Sequence, residues 1–371
     1  IEQGADLLVF PQFGIEEMTP PGLQHHWNFR NSSNVHDFVS NVTKVTGRHT
    51  LKTGAEMRLN YINHMQAPWQ AIFNFTRAAT QGPDPRVPSA TAGVAYASFL
   101  LGVGASGNVV NGIRPAMSNR YWGLYIQDDY KVSRKLTVNL GLRWDIETGA
   151  NERYDRFSVF DPTVRSPLSD LVGMELRGGY LFPGKGLGRR NNVETEWTKF
   201  NPRIGFAYEL NPRTAIRAGY GVFYGTPAYA SAFPGPMFNA NTLWVTSLDG
   251  VTPYRLLRDP YPDGINFPEG SRNGLLAAIS SGVGNSPYPP TMNTMYNQQW
   301  NFTIQRTLAR ALALEVAYAG NKGTHLPLSW EINQLRPELH KPENDLLTTV
   351  PNPFFGIIPS GTLGQARVQR G

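Results

Sequence analysis

Two adjacent carboxylates on one alternating stretch, Asp128-Asp129, are of a type that could do acid–base chemistry. General acid–base work by a carboxyl pair needs both groups on one side of a substrate. Neighbours on an extended strand point to opposite faces, so this pair does not converge; Asp129 is expected in a polar network and Asp128 near an interface. The seven histidines, His25, His26, His36, His49, His64, His325 and His340, form no HExxH or other compact ligand spacing, and His25-His26 reads as a loop doublet. Gly102-Val103-Gly104-Ala105-Ser106-Gly107 fits GxGxxG letter by letter. No buried strand precedes it and no apolar-periodic helix follows, so the phosphate cradle built by that motif is not expected. No GxSxG nucleophile elbow occurs, and the absence of cysteine removes disulfides and thiolate metal sites. These patterns predict no catalytic residue, no metal site, no cofactor and no enzyme activity.

The elements that position the remaining polar residues are strands. Across 371 residues, aromatic side chains make up 12% and charged ones 17%, with 37 Gly and 29 Pro, a mix suited to strands and turns. The longest apolar stretch, Ala92 to Leu101, is about half of what a membrane-spanning helix needs. The net charge of +6 comes from scattered basic residues such as Arg58, Arg143, Arg189, Arg217 and Arg272 rather than a run, which argues against a nucleic-acid partner.

Lys135 to Glu147 alternates without a break: Leu136, Val138, Leu140, Leu142, Trp144 and Ile146 on one face, Lys135, Thr137, Asn139, Gly141, Arg143, Asp145 and Glu147 on the other. Phe200 to Leu210, Tyr296 to Gln305 and His49 to Tyr61 show the same period, each with one polar or small face. Strands pair through short turns: Asn34–Val45 with His49–Asn63, Asn119–Val132 with Lys135–Glu147, Trp197–Leu210 with Arg213–Tyr224, and Tyr296–Thr307 with Ala311–Gly320. Between these hairpins lie long connections rich in Pro, Gly and Asn, with short strands expected near Trp69–Thr76 and Arg156–Asp161 and a short helix within Thr91–Leu101. Short turns on one side and long loops on the other are the asymmetry of outer-membrane barrels. Runs of about 11 to 13 residues also match the ~9 to 11 that cross a bilayer at a tilt.

On this reading the apolar face meets outer-membrane lipid, and Arg58, Gln127, Asp129, Arg143, Asp145, Arg203, Arg217 and Gln299 line a polar lumen. The opposite register would place Arg143 in hydrocarbon at roughly 2 to 4 kcal/mol near the midplane. Tyr121, Trp122, Trp144, Trp197, Tyr224, Tyr296 and Trp300, near strand ends, are expected at headgroup level. Loop aromatics Trp69, Tyr229, Phe233, Trp244, Tyr254 and Tyr288, set among polar residues, are candidate contacts for an unidentified small-molecule or oligomeric ligand.

The string Tyr121-Trp122-Gly123-Leu124-Tyr125-Ile126-Gln127-Asp128-Asp129-Tyr130-Lys131-Val132, followed by Leu136 to Trp144, resembles a strand hairpin of TonB-dependent receptors. Gly47 to Glu56, Asn201 to Tyr208 and Gln298 to Arg306 are similar to the Oar-like branch of that superfamily, and the likeness spans most of Asn34 to Gly320. The resemblance implies transport of a bulky solute, such as an oligosaccharide, siderophore complex or peptide, across a bacterial outer membrane. It also implies a 22-stranded plugged barrel driven by the TonB-ExbB-ExbD system through the plug region. The expected fold is therefore all-β: residues 1–371 as part of an antiparallel transmembrane β-barrel with long extracellular loops. The plug, signal peptide and closing strand are expected outside it, since Ile1-Glu2-Gln3-Gly4 carries no export signal and Gln369-Arg370-Gly371 ends in a polar stretch. The alternatives are a surface adhesion or matrix-binding protein without energised transport, and a soluble secreted β-sandwich.

Overall fold

The computed structural model describes residues 11–19, 29–66, 70–225, 236–277, 293–328, 334, 337–339, 346, 348–358 and 362–369. Eight long strands carry the architecture: β2 (Phe29–Thr46), β3 (His49–Gln66), β6 (Ala116–Lys131), β7 (Leu136–Glu147), β11 (Glu196–Asn211), β12 (Thr214–Tyr224), β14 (Tyr296–Ala309) and β15 (Leu312–Thr324). They hydrogen-bond antiparallel in sequence order, β2-β3-β6-β7-β11-β12-β14-β15, with the two-residue β8 (Asn151–Glu152) extending β6. Each expected hairpin is present, and several strands run past their expected ends: β2 begins at Phe29 rather than Asn34, and β3 ends at Gln66 rather than Asn63. Among the described residues β2 and β15 are not paired with each other, so the sheet is an open wall. No helix there is long and apolar enough to cross a membrane.

Alternation turns directly into two faces. One cross-strand row reads Lys44, Leu51, Asp128, Leu140, Ile204, Tyr220, Trp300; the next toward the long connections reads Val42, Thr53, Ile126, Leu142, Pro202. This face is mostly apolar and uncovered, with Ile126, Ile204 and Val316 all more than half exposed. The opposite face carries the polar residues. Register is set by the short turns; Gly47 takes φ +57° at the first position of the Gly47-Arg48 turn, as a tight hairpin requires. Arg48 donates to the Val132 carbonyl at 3.0 Å, tying two adjacent turns together.

The long connections are not slack. β1 (Gln12–Ile15), β4 (Gln70–Phe75), β5 (Ser106–Gly112) and β13 (Asn239–Leu243) form a second sheet in the order β1-β4-β5-β13. β1 lies parallel on β4 and the other pairs are antiparallel. With α1 (Ala95–Leu100) it encloses a core of Ile15, Phe73, Phe75, Ala95 and Trp244, against which Phe13, Phe99 and Tyr261 pack. A further hairpin, β9 (Val159–Arg165) and β10 (Arg177–Leu181), brackets α2 (Leu168–Val172). Its Tyr180 joins Phe182, Met237, Phe238 and Ala277 in a separate core. The short strand and helix expected near Trp69–Thr76 and Thr91–Leu101 are thus β4 and α1. The pairing of β4 with β1 and β5, and of β5 with β13, goes beyond what local alternation in the sequence indicates. A last small hairpin joins β16 (Thr349–Pro351) to β17 (Arg367–Gln369).

Glu152, on β8, ties the connection after β7 to β6. It is 1% exposed and accepts from Arg156 Nη2 at 2.6 Å and from the backbone N–H of Ala116 and Tyr154. Burial alone would raise its carboxyl, but these hydrogen bonds outweigh it and hold the group below the usual carboxylate range.

Phe75, 1% exposed at the centre of the loop core, separates the stability of the two layers. Phe75→Ala removes about 3 to 5 kcal/mol of packing from that core. The expected outcome is rapid protease cleavage within the long connections while the long-strand sheet stays resistant; simultaneous loss of both would show that the layers fold as one unit.

Candidate functional site

The polar face carries a continuous hydrogen-bonded network whose geometry follows from strand parity. Odd residues of β6 and β7 share a face with even residues of β3, so Glu56, Gly123, Asp145 and Lys199 stand in one cross-strand row. Arg143, one row nearer the short turns, bridges the two carboxylates. Its Nη2 lies 2.6 Å from Glu56 Oε2 and its Nε 2.8 Å from Asp145 Oδ1. Arg58 pairs with the other oxygen of Glu56 and lies 3.8 Å from Asp37.

Tyr121 closes the cluster. Its hydroxyl donates to Asp145 Oδ1 at 2.5 Å and accepts from Arg143 Nη2 at 2.5 Å, while the Arg58 guanidinium sits 5.2 Å from the ring centre. Asn201 donates to Asp145 Oδ2 at 2.7 Å and accepts from the Tyr224 backbone N–H, linking β11 to β12. The bridge needs Gly123: a Cβ there would run into the Arg143 guanidinium and lie 2.7 Å from the Tyr121 hydroxyl. The arrangement is an ion-pair relay spread over five strands, from Asp37 on β2 to Asn201 on β11, satisfied at nearly every atom.

Nearer the short turns, Asp129 accepts from Lys52 at 3.1 Å, Gln127 at 3.0 Å and Asn139 at 2.6 Å. Arg203 lies over the Phe223 ring at 4.9 Å. Arg217 pairs in register with Ala207 and Thr303, and Gln299 with Gly221 and Asn321. All eight residues expected on the polar wall therefore share that face. Arg58, Arg143 and Asp145 are brought into one cluster and Gln127 and Asp129 into a second, with Arg203, Arg217 and Gln299 outside both.

Toward the long connections the same face opens into a cleft of about 370 Å³. Asn60, Asn119, Tyr121, Asp145, Glu147 and Lys199 are among its lining residues. Asn119 donates to Glu147 at 3.0 Å, and Lys199, 2% exposed, stands in register with Asp145. Amides, carboxylates, an ammonium and tyrosine rings together suit a polar solute or a polar polypeptide surface. Among the described residues no group of His, Asp and Glu is placed to hold a metal ion.

Two expectations need correction. Tyr121 is not at headgroup level; its odd position in β6 turns it to the polar face. Parity, already legible from Gln127 and Asp129, would have placed it there. Trp244 does not present its ring to solvent. It is 3% exposed, meets Phe73 and Phe75 edge-on and donates from Nε1 to the Arg255 carbonyl at 3.0 Å, so it organises the loop core. Tyr254 remains half exposed beside the Arg255 guanidinium. Trp69, Tyr229, Phe233 and Tyr288 lie outside the described residues. Sequence reasoning missed Glu56, Gly123 and Asn201 as members of the cluster because their roles depend on distant partners: Glu56 is 87 positions from Arg143 and Asn201 is 56 from Asp145.

Arg143→Leu leaves Glu56 and Asp145 without their shared counter-charge. Breaking a fully buried pair costs about 3 to 5 kcal/mol. Arg143 retains 24% exposure, so about 1 to 3 kcal/mol is expected after solvent screening. Urea unfolding of the folded protein checks this. Gly123→Val is expected to shift stability in the same direction, and Glu56→Gln added to Arg143→Leu to recover part of the loss; a neutral Arg143→Leu would show that the relay contributes nothing to stability.

A family model described as outer membrane beta barrel domain matches residues 2–366. Among solved structures, the outer membrane transporter YddB from Escherichia coli aligns with a TM-score of 0.43 at 12% identity, covering 85% of this chain and 29% of that one. FauA, the alcaligin outer membrane receptor from Bordetella pertussis, aligns with a TM-score of 0.25 at 8% identity over 80% of this chain and 47% of that one. The chain thus spans less than half the length of either. No curated protein sequence matches it. With alternating faces, one-sided long loops and a model match over nearly its whole length, this chain belongs to the outer membrane β-barrel domain family and is an all-β barrel wall of the bacterial outer membrane.

Proposed function

We propose that this chain is the wall and external-loop portion of a TonB-dependent transporter that takes up a bulky polar solute. The solute would be an oligosaccharide, a siderophore complex or a peptide. The observation that carries the reading is the polar face itself: a satisfied ion-pair relay opening into a cleft of amides, carboxylates and tyrosines at the loop end. A wall of this kind offers hydrogen bonds to a hydrated cargo, or to a plug, without an apolar trap. The sequence likeness to TonB-dependent receptors, and within them to the Oar-like branch, supplies the energy source and the plugged barrel of 22 strands. Coupling would come from the TonB-ExbB-ExbD system acting through the plug region.

A second reading is a surface protein whose loops bind a matrix or another cell, with transport secondary. One observation favours it: the loop layer exposes Val94, Tyr96, Leu100 and Leu101 together at α1, an apolar patch suited to a macromolecular partner.

Uptake by cells expressing the full-length protein separates the two. Accumulation of fluorescent maltodextrin, a ferric hydroxamate or a labelled peptide is expected to fall to background when TonB is deleted. Accumulation that ignores TonB, or none with any of the three alongside binding of cells to a matrix-coated surface, would replace transport with adhesion.

A further inference from the structure

The lipid-facing side of an outer-membrane barrel ought to be featureless, and here it is not. Between β2 and β6 a groove of about 560 Å³ runs along that face. Its floor is made of short side chains, Ser40, Thr53 and Ala55 with Val42, and Leu124 and Ile126 form a wall. These residues occupy two adjacent cross-strand rows. The next two rows toward the short turns hold ionisable residues on the same lipid-facing side: Lys44 and Asp128 in one, His49 and Tyr130 in the other. His49 Nδ1 lies 2.7 Å from Asp128 Oδ2 and its ring stacks on Tyr130 at 4.2 Å. The second carboxylate oxygen of Asp128 is enclosed and has no hydrogen-bond donor among the described residues.

Charged residues on a lipid face are costly and call for a partner. Rows are about 7 Å apart along a strand, so the polar cluster begins one row beyond the groove, at the depth of the headgroups on the short-turn side. A groove sized for hydrocarbon, ending in a cation, a carboxylate and a stacked imidazole–phenol pair, has the layout of one phospholipid molecule.

We propose that this face holds a specific phospholipid of the inner leaflet, a zwitterionic lipid with a primary ammonium. An acyl chain lies over Ser40, Thr53 and Ala55. The phosphate meets Lys44 and His49, and the ammonium donates to Asp128 Oδ2, the carboxylate oxygen that also meets His49. Choline lipids cannot do this, since a quaternary ammonium has no N–H to give. The site needs only a barrel in lipid and is independent of what the protein transports.

Native mass spectrometry tests it on the full-length protein released from bilayers of equal phosphatidylethanolamine and phosphatidylcholine. The ethanolamine lipid is expected to be retained about tenfold over the choline lipid, the worth of one charge-assisted hydrogen bond. Asp128→Asn should bring the two toward parity, and Ala55→Phe, which fills the groove, should lower retention of both. Lys44→Ala, at the end of the described sheet, is the second headgroup variant if Asp128→Asn fails to give a heat-modifiable barrel. Equal retention of both lipids by the unaltered protein, or a preference indifferent to the headgroup variants, would overturn the proposal.

Discussion

Hydrocarbon offers no hydrogen bonds, so a chain that crosses it as strands must pair every backbone N–H and C=O with a neighbouring strand. Everything else in this structure hangs on that condition. It forces long ladders, 18 residues each in β2 and β3, and it makes register unforgiving. Because side chains alternate with period two, a slip of one residue would exchange the faces. Arg143, Asp145 and Glu56 would then stand in lipid while Leu140, Leu142 and Trp144 lined the interior. The short turns are where slippage is prevented. Gly47 supplies the one left-handed residue that the first hairpin needs, and Arg48 reaches across to the neighbouring turn. A wall assembled this way is rigid before any side chain on its polar face has been chosen.

That rigidity is what lets the polar face support an extended ion-pair relay. Arg143 must span from β7 to β3, and it does so only because β6 presents Gly123 at the crossing point. A strand interior normally gains from a side chain there. At this position the absence of one opens a channel through which a guanidinium reaches a carboxylate two strands away. Tyr121 and Asn201 then occupy the remaining acceptor sites of Asp145, leaving a network in which charge is neutralised in place. A half-satisfied version would be worse than an apolar surface, so the relay behaves as a unit and its members cannot be weighed one at a time.

How much of this could be read from sequence depended on the range of the contacts. The four hairpins were legible because period-two alternation and a short turn are local, and all eight polar-wall residues followed from the same parity. Strand ends were underestimated: Phe29 to Ser33 and Asn63 to Gln66 are largely polar, so the alternating pattern that marks a bilayer-crossing stretch stops before the ladder does. The loop sheet was not legible at all. β5 pairs Asn108 with Leu243 and Gly112 with Asn239, across more than a hundred residues of intervening barrel. Only β4 carries a local strand signal, near Trp69–Thr76; β5 carries none and is a strand only because β4 and β13 pair with it. Trp244 failed for the same reason, since an aromatic flanked by polar residues looks exposed unless its partners Phe73 and Phe75, far upstream, are known.

The loop layer in turn bears on the proposed uptake. Strands from three separate connections, before β2, between β3 and β6, and between β12 and β14, meet in one sheet with an aromatic core. Loops bound to one another in this way lose little further entropy when something docks on them, and the tyrosines and arginines at their rim, Tyr254 and Arg255 among them, are held in place in advance. The burial of Trp244 fixes the frame on which the exposed side chains of this layer stand. Were the loops flexible, the cargo of the proposed transport would have to order them at the expense of affinity. On that proposal an ordered layer shifts selectivity onto shape, with the polar cleft below as the next hydrated surface.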